Sequence, residues 1–105
     1  MSVESLFLDI MAIKRRVVFG VRPFTFGWCF PFESDEPIYI NLLFHGHQDP
    51  TITYIHECLH LLFPKMPHPQ IYALEGKIWN GISSEQRFLL SRKLFNRRYI
   101  LEEDL

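Results

Sequence analysis

The chain has 105 residues, 48% of them hydrophobic and 15% aromatic, and carries a formal charge of −1. That length allows one domain spanning residues 1–105, and the composition can bury a core without staples, which excludes an intrinsically disordered chain. A near-zero charge argues against a protein whose main work is neutralising nucleic-acid phosphates, and no apolar run is long enough to cross a membrane.

In the opening stretch "MSVESLFLDIMAIKRR" the residues Val3, Leu6, Phe7, Ile10 and Met11 recur at helical spacing. They predict an amphipathic helix over residues 3 to 14, capped by Ser2, with Lys14, Arg15 and Arg16 at its C-terminal end. Glu4 and Asp9 interrupt the apolar part and the basic cluster follows it, so the stretch does not read as a signal peptide. The period then changes to two. In "FTFGWCFPFE" the residues Phe24, Phe26, Trp28, Phe30 and Phe32 alternate with Thr25, Gly27, Cys29 and Pro31, which predicts a strand with a nearly solid aromatic face. Aromatics dominate cores, so that face is expected to pack beneath the helices; the alternative is a hydrophobic ligand surface. "RRVVFGVR" and "PIYINLLF" read as two further strands, giving a small, mostly antiparallel sheet of about three strands, in which Pro31 marks an interruption or an edge.

"HGHQDP" reads as a loop that ends in an N-cap, Asp49, and a first-turn proline, Pro50. A helix is expected from 50 to 63, stopped by Pro64 and anchored through Ile52, Ile55, Leu59, Leu62 and Phe63. "PKMPHP" is a stiff connector. "QIYALEGKIWN" repeats the helical pattern through Ile71, Leu74, Ile78 and Trp79, with Gly81 as its stop. The last helix opens at "SSEQ", where Ser83 and Gln86 have capping-box spacing, and runs to about Asn96. The fold class expected is therefore α+β: an N-terminal helix, the small sheet, and three further helices. The two cysteines are Cys29 and Cys58, and the second lies inside a helix where a disulfide would be awkward, so a reducing, cytoplasmic setting fits.

The chemistry concentrates in "TYIHECLHLLFP". On a helix, His56 and His60 stand one turn apart on one face with Glu57 beside the first, the HExxH arrangement. Two such imidazoles can grip one ion, giving two of the three protein ligands usual for catalytic zinc, with Glu57 as general base. For the third ligand the choice is Glu75, a carboxylate set in the apolar stripe of Ile71, Leu74, Ile78 and Trp79, where burial unpaired is costly. Gly76 beside it would let another helix approach closely. A salt bridge from Glu75 to Arg87 or Arg92 is the plainer alternative. His68, eight residues after His60 in the connector, is the rival ligand; His45 and His47 are weaker candidates. Cys58 faces the opposite side of its helix and reads as core; Tyr54 and Tyr72 could stand near the site and polarise a substrate carbonyl, but tyrosine on a helix flank is more often packing and neither is named catalytic.

"HECLHLLFP" followed by "ALEGKIW" resembles the gluzincin metallopeptidases, and the small size and order of elements resemble the minigluzincins. The resemblance implies a zinc peptidase in which His56, His60 and Glu75 hold the metal and Glu57 is the acid/base. Glu75 lies only fifteen residues after His60, short for gluzincins in general, and the SprT-like group, which uses a later histidine, stays open through His68. The resemblance also implies a substrate strand along the sheet edge, with "PIYINLLF" as the natural candidate, and a latent enzyme whose C-terminal segment, here the acidic "YILEEDL", blocks the cleft. The expected partner is a peptide or protein substrate. A non-catalytic zinc-binding module or pseudo-peptidase is the alternative, and a nucleic-acid accessory acting through "SRKLFNRR" is a third reading.

Overall fold

A computed structural model describes residues 2–20, 25–33, 36–41, 49–95 and 100–101. The architecture is α+β. Its elements are α1 (Val3–Met11), β1 (Val17–Gly20), β2 (Gly27–Trp28), β3 (Ile38–Asn41), α2 (Pro50–Leu62), α3 (His68–Gly81), α4 (Ser84–Phe95) and β4 (Ile100–Leu101). His45 and His47 lie outside the described residues, as do Phe24, the tail residues 102–105, and Arg97 and Arg98 of the basic stretch.

Local chemistry starts each helix where the sequence places it. The Ser2 hydroxyl accepts from the Ser5 amide at 3.0 Å, and Asp49 Oδ1 accepts from the Thr51 amide at 2.9 Å. Ser83 and Gln86 close a reciprocal capping box, with the Gln86 amide donating to the Ser83 hydroxyl and the Ser83 amide to the Gln86 side chain. Helix α1 stops at Met11, short of Lys14, so its own basic residues do not reach its C-terminal carbonyls. A lysine from α4 serves there instead: Lys93, almost fully buried, donates from Nζ to the Ile10 carbonyl at 2.6 Å. Arg15 turns outward to donate to the carbonyls of Phe30 and Glu36, pinning the segment between β2 and β3.

The sheet order is β2-β3-β1-β4. Strand β3 runs parallel to β1 and antiparallel to β2, and β4 runs parallel to β1, so the sheet is mixed instead of mostly antiparallel. The cause is an insertion. Consecutive β1 and β2 do not pair; the apolar β3, with Ile38 and Ile40 fully buried, takes the place between them and leaves the two-residue β2 at the edge. "PIYINLLF" is thus no edge over its described strand, because both flanks of Ile38–Asn41 are already paired. Among the described residues the edges belong to β2 at one end and to β4, from the tail, at the other.

The aromatic face of β2 does not pack under the helices. Phe26 and Phe30 are exposed, Phe32 is 75% exposed, and Trp28 lies flat on Tyr39 with ring centroids 5.0 Å apart. What faces α2 is the small-residue side. A Cβ placed on Gly27 would come within 2.7 Å of the Tyr39 carbonyl oxygen and 2.8 Å of Thr53 Cγ2, and within 3.4 Å of Glu57 Cγ. No ring fits in that gap. The core forms elsewhere, from Leu6, Phe7 and Ile10 of α1, Val17 and Phe19 of β1, β3, and the inner faces of α2, α3 and α4. Within it α2 is central, packing against the other three helices and against β2 and β3. Gly76, by contrast, faces open space, so it mediates no close helix approach.

Because backbone, and not only a flexible side chain, opposes a Cβ at Gly27, Gly27→Ala should force β2 away from α2 and cost about 1–3 kcal/mol as overpacking. Urea unfolding checks this; an unchanged midpoint would mean the edge strand is free to retreat.

Candidate metal centre

Helix α2 presents two opposite faces. Ile55, Cys58 and Leu59 are fully buried in the core, which fixes the helix's rotation and turns His56, Glu57 and His60 toward a cleft between α2, α3 and β2. The cleft encloses about 510 Å³ and is walled by Phe26, Gly27, Trp28 and Cys29 on the strand side and by His68, Tyr72 and Glu75 on the α3 side. Cys58 is a core residue, as its place on the helix implied, and burial pushes its thiol up to about 12. Tyr54 is buried beneath the Lys93 ammonium, which lies 5.5 Å from its ring centroid. Neither residue reaches the cleft lining.

Three imidazoles converge at the cleft floor. His56 Nε2 lies 2.8 Å from His68 Nε2 and 3.1 Å from His60 Nε2. The other ring nitrogen of His56, Nδ1, lies 2.9 Å from Glu75 Oε1. Sequence reasoning put His68 in a loop; it is the first residue of α3, entered through Pro67 at the N-cap and followed by Pro69 in the first turn. The signal was present in "PKMPHP", since proline is at home in a helix's opening turn as well as in a connector. Tyr72, one turn further on, stacks on the His68 ring with centroids 4.9 Å apart and planes 25° apart, and it stands 4.7 Å from the His56 ring. It is 58% exposed, so it belongs to the cleft rim and not to the packed core.

Glu75 is brought to this cluster, and it meets His56 on the nitrogen that points away from His60 and His68. Its rival partner Arg87 is occupied elsewhere, donating to the Trp79 carbonyl while its guanidinium lies 4.3 Å from the centroid of the Trp79 ring. With the neutral His56 ring donating from Nδ1 to the carboxylate, the Nε2 lone pair is directed at the other two rings. His60 is kept neutral over a wide range: burial, and then the neighbouring charges of His56 and His68, lower its pKa to about 4. Lone pairs on neutral imidazoles are what a transition metal binds, so the donor set of His56, His60 and His68 could hold a metal ion.

Glu57 lies at the strand side of the same cleft. Burial raises its carboxyl above the usual range; the charge of His56 and a hydrogen bond from Cys29 oppose the rise, and the negative Glu75 adds to it. The single hydrogen of the Cys29 thiol is shared between the Glu57 carboxylate and the Glu57 backbone carbonyl, 3.6 Å from the sulfur. Burial and the Glu57 charge hold that thiol in its protonated form, so Cys29 acts as a hydrogen-bond donor and not as a nucleophile.

The described part of the tail lies at the far side of the sheet from this cleft, since β4 and β2 occupy opposite edges. In the basic stretch, Lys93 is turned into the core.

In the metal-free protein His60 should mark the pH dependence of stability. The unfolded chain binds a proton there below about pH 6.5, the ordinary value, whereas the folded chain does so only near 4. Between the two the unfolded state holds more protons, so stability falls as pH drops through that window. Thermal melts in chelator from pH 7 to 4 check this: the difference between the parent and His60→Gln should shrink or reverse on acidification, and a constant difference would refute it. No protein-family model, no curated protein and no solved structure matches the chain.

Proposed function

We propose that the chain is a zinc-dependent peptidase of the HExxH type, the activity that the resemblance of "HECLHLLFP" to the gluzincin and minigluzincin enzymes implies. The observation that carries this reading is the convergence of imidazole Nε2 atoms from α2 and α3 at the floor of an open cleft, with the buried Glu57 carboxylate on the adjoining wall. His56 and His60 would hold the ion together with one further side chain from α3. Zinc is favoured over magnesium or calcium by nitrogen donors, and when bound it supplies a Lewis acid and acidifies water.

The rest of the chemistry falls to the chain's own groups. Glu57 takes the proton of the attacking water as its oxygen bonds to the scissile carbonyl carbon, and returns that proton to the amide nitrogen as the C–N bond breaks. Taking and returning the proton at one carboxylate lets a single residue serve both halves of this exchange. The Cys29 thiol steadies Glu57 from the strand side. Strand β2 borders the cleft at one end of the described sheet, and an extended peptide laid along the cleft would run beside it. The exposed Phe26 and the half-buried Trp28 offer it apolar contact.

The alternative, a pseudo-peptidase that binds a partner at the same edge, differs in what Glu57 does. Glu57→Gln keeps the side chain's shape and removes the base. Hydrolysis of a denatured protein substrate should fall by at least about 10²-fold, the usual share of general acid–base catalysis, with zinc still bound. Hydrolysis that persists unchanged, or is absent from the zinc-loaded parent, would rule out the peptidase.

A further inference from the structure

We propose that His68 is the third protein ligand of the ion and that Glu75 is a positioning residue which acts on the metal through His56. The inference rests on the metal reading above and resolves which α3 side chain completes the site.

The two nitrogens of the His56 ring divide the neighbourhood. Nε2 faces His60 and His68, at 3.1 and 2.8 Å, while Nδ1 faces Glu75 Oε1 at 2.9 Å. An ion bound at Nε2 lies on the side of the ring that the carboxylate does not occupy. Tetrahedral zinc with ligands at 2.0–2.1 Å sets donor nitrogens about 3.3 Å apart. The His56 to His60 and His56 to His68 separations are already close to that, and all three donor atoms lie within 4.8 Å of one another, so a small adjustment of the rings sets them around one ion. For Glu75 to join them it would have to give up its hydrogen bond and travel around the ring, leaving His56 Nδ1 without its partner and His68 pointing at an ion it does not bind.

The build of α3 supports the same division. His68, Tyr72 and Glu75 are spaced at i, i+4 and i+7, so they share one face of the helix. The first is delivered by the prolines on either side of it, and the second lies flat on its ring and restricts its rotation. The third reaches past both to the rear nitrogen of His56. A carboxylate behind a ligating histidine fixes its tautomer and makes the ring a stronger donor. With three neutral imidazoles in direct contact, the ion keeps its full double charge, and the negative charge of Glu75 is felt only through a ring.

The test is zinc itself. Affinity is measured by competition with a chromophoric chelator for the parent, His68→Ala, Glu75→Gln and Glu75→Ala, with circular dichroism as a check on folding, and X-ray absorption counts imidazoles around zinc in the parent. Expected are three imidazoles, one zinc per chain in Glu75→Gln with affinity weakened by about 10- to 100-fold, and the larger loss in His68→Ala. Glu75→Ala should fall below Glu75→Gln, because the amide oxygen of glutamine can still accept from Nδ1. Two imidazoles with a carboxylate in the parent, or full binding by His68→Ala with none by Glu75→Gln, would overturn the assignment. If His68→Ala fails to fold, the absorption spectrum of the parent decides. Hydrolysis with a two-imidazole spectrum sinks this inference and leaves the peptidase standing; a three-imidazole spectrum without hydrolysis does the reverse. A parent that binds no zinc refutes both.

Discussion

The site depends on the rotation of one helix. Ile55, Cys58 and Leu59 of α2 are fully buried, and each large aliphatic side chain so placed contributes about 1.5–3 kcal/mol. Turning α2 by a single residue, 100°, would expose these groups and drive imidazoles into an apolar core where they have no partners. Helix α2 is held in that orientation from all sides, by α1, α3 and α4 and by β2 and β3. The core thus settles where His56, Glu57 and His60 point before any interaction among them is considered.

Given that orientation, the polar groups of the cleft stabilise one another because each alone would be costly to bury. Glu57 is nearly as buried as the core, yet it has the Cys29 thiol beside it. Glu75, set among apolar neighbours on α3, finds His56 Nδ1. His60 escapes the cost by staying neutral down to about pH 4. The cluster consequently holds the ring nitrogens of three histidines near one another, and on neutral rings these are lone pairs. That arrangement is poor at binding anions and well suited to accepting a cation.

Much of this was legible from local patterns. Caps at Ser2, Asp49 and Ser83 could be read because side chain and amide lie two or three residues apart, and the apolar period of α2 separated Cys58 from the histidines. What depended on distant partners could not be read. The pairing of β1 with β3 is decided by which strand is apolar enough to sit inside the sheet, and the exposure of Phe26, Phe30 and Phe32 follows from Gly27, whose role is visible only once Tyr39 and Thr53 are beside it. The same holds for Lys93: its charge suggested a surface patch, whereas its ammonium completes the C-terminus of α1, eighty-three residues away in the chain. The position of His68 was a near miss, since its proline neighbours fit a connector and a helix start equally well.

The two halves of the cleft differ in how they are assembled, and this separates binding from chemistry. His56, His60, His68 and Glu75 come from consecutive helices, all within nineteen residues, so closing the connector between them costs little chain entropy. The opposite wall, Gly27 and Cys29, reaches Glu57 from about thirty residues away and through a strand of only two residues. A disturbance of the sheet edge therefore acts first on the surroundings of Glu57, its burial and its hydrogen bond, and leaves the imidazoles in place. Metal-binding capacity is a property of the α2–α3 pair, whereas the environment that raises the carboxyl pKa is a property of the whole fold.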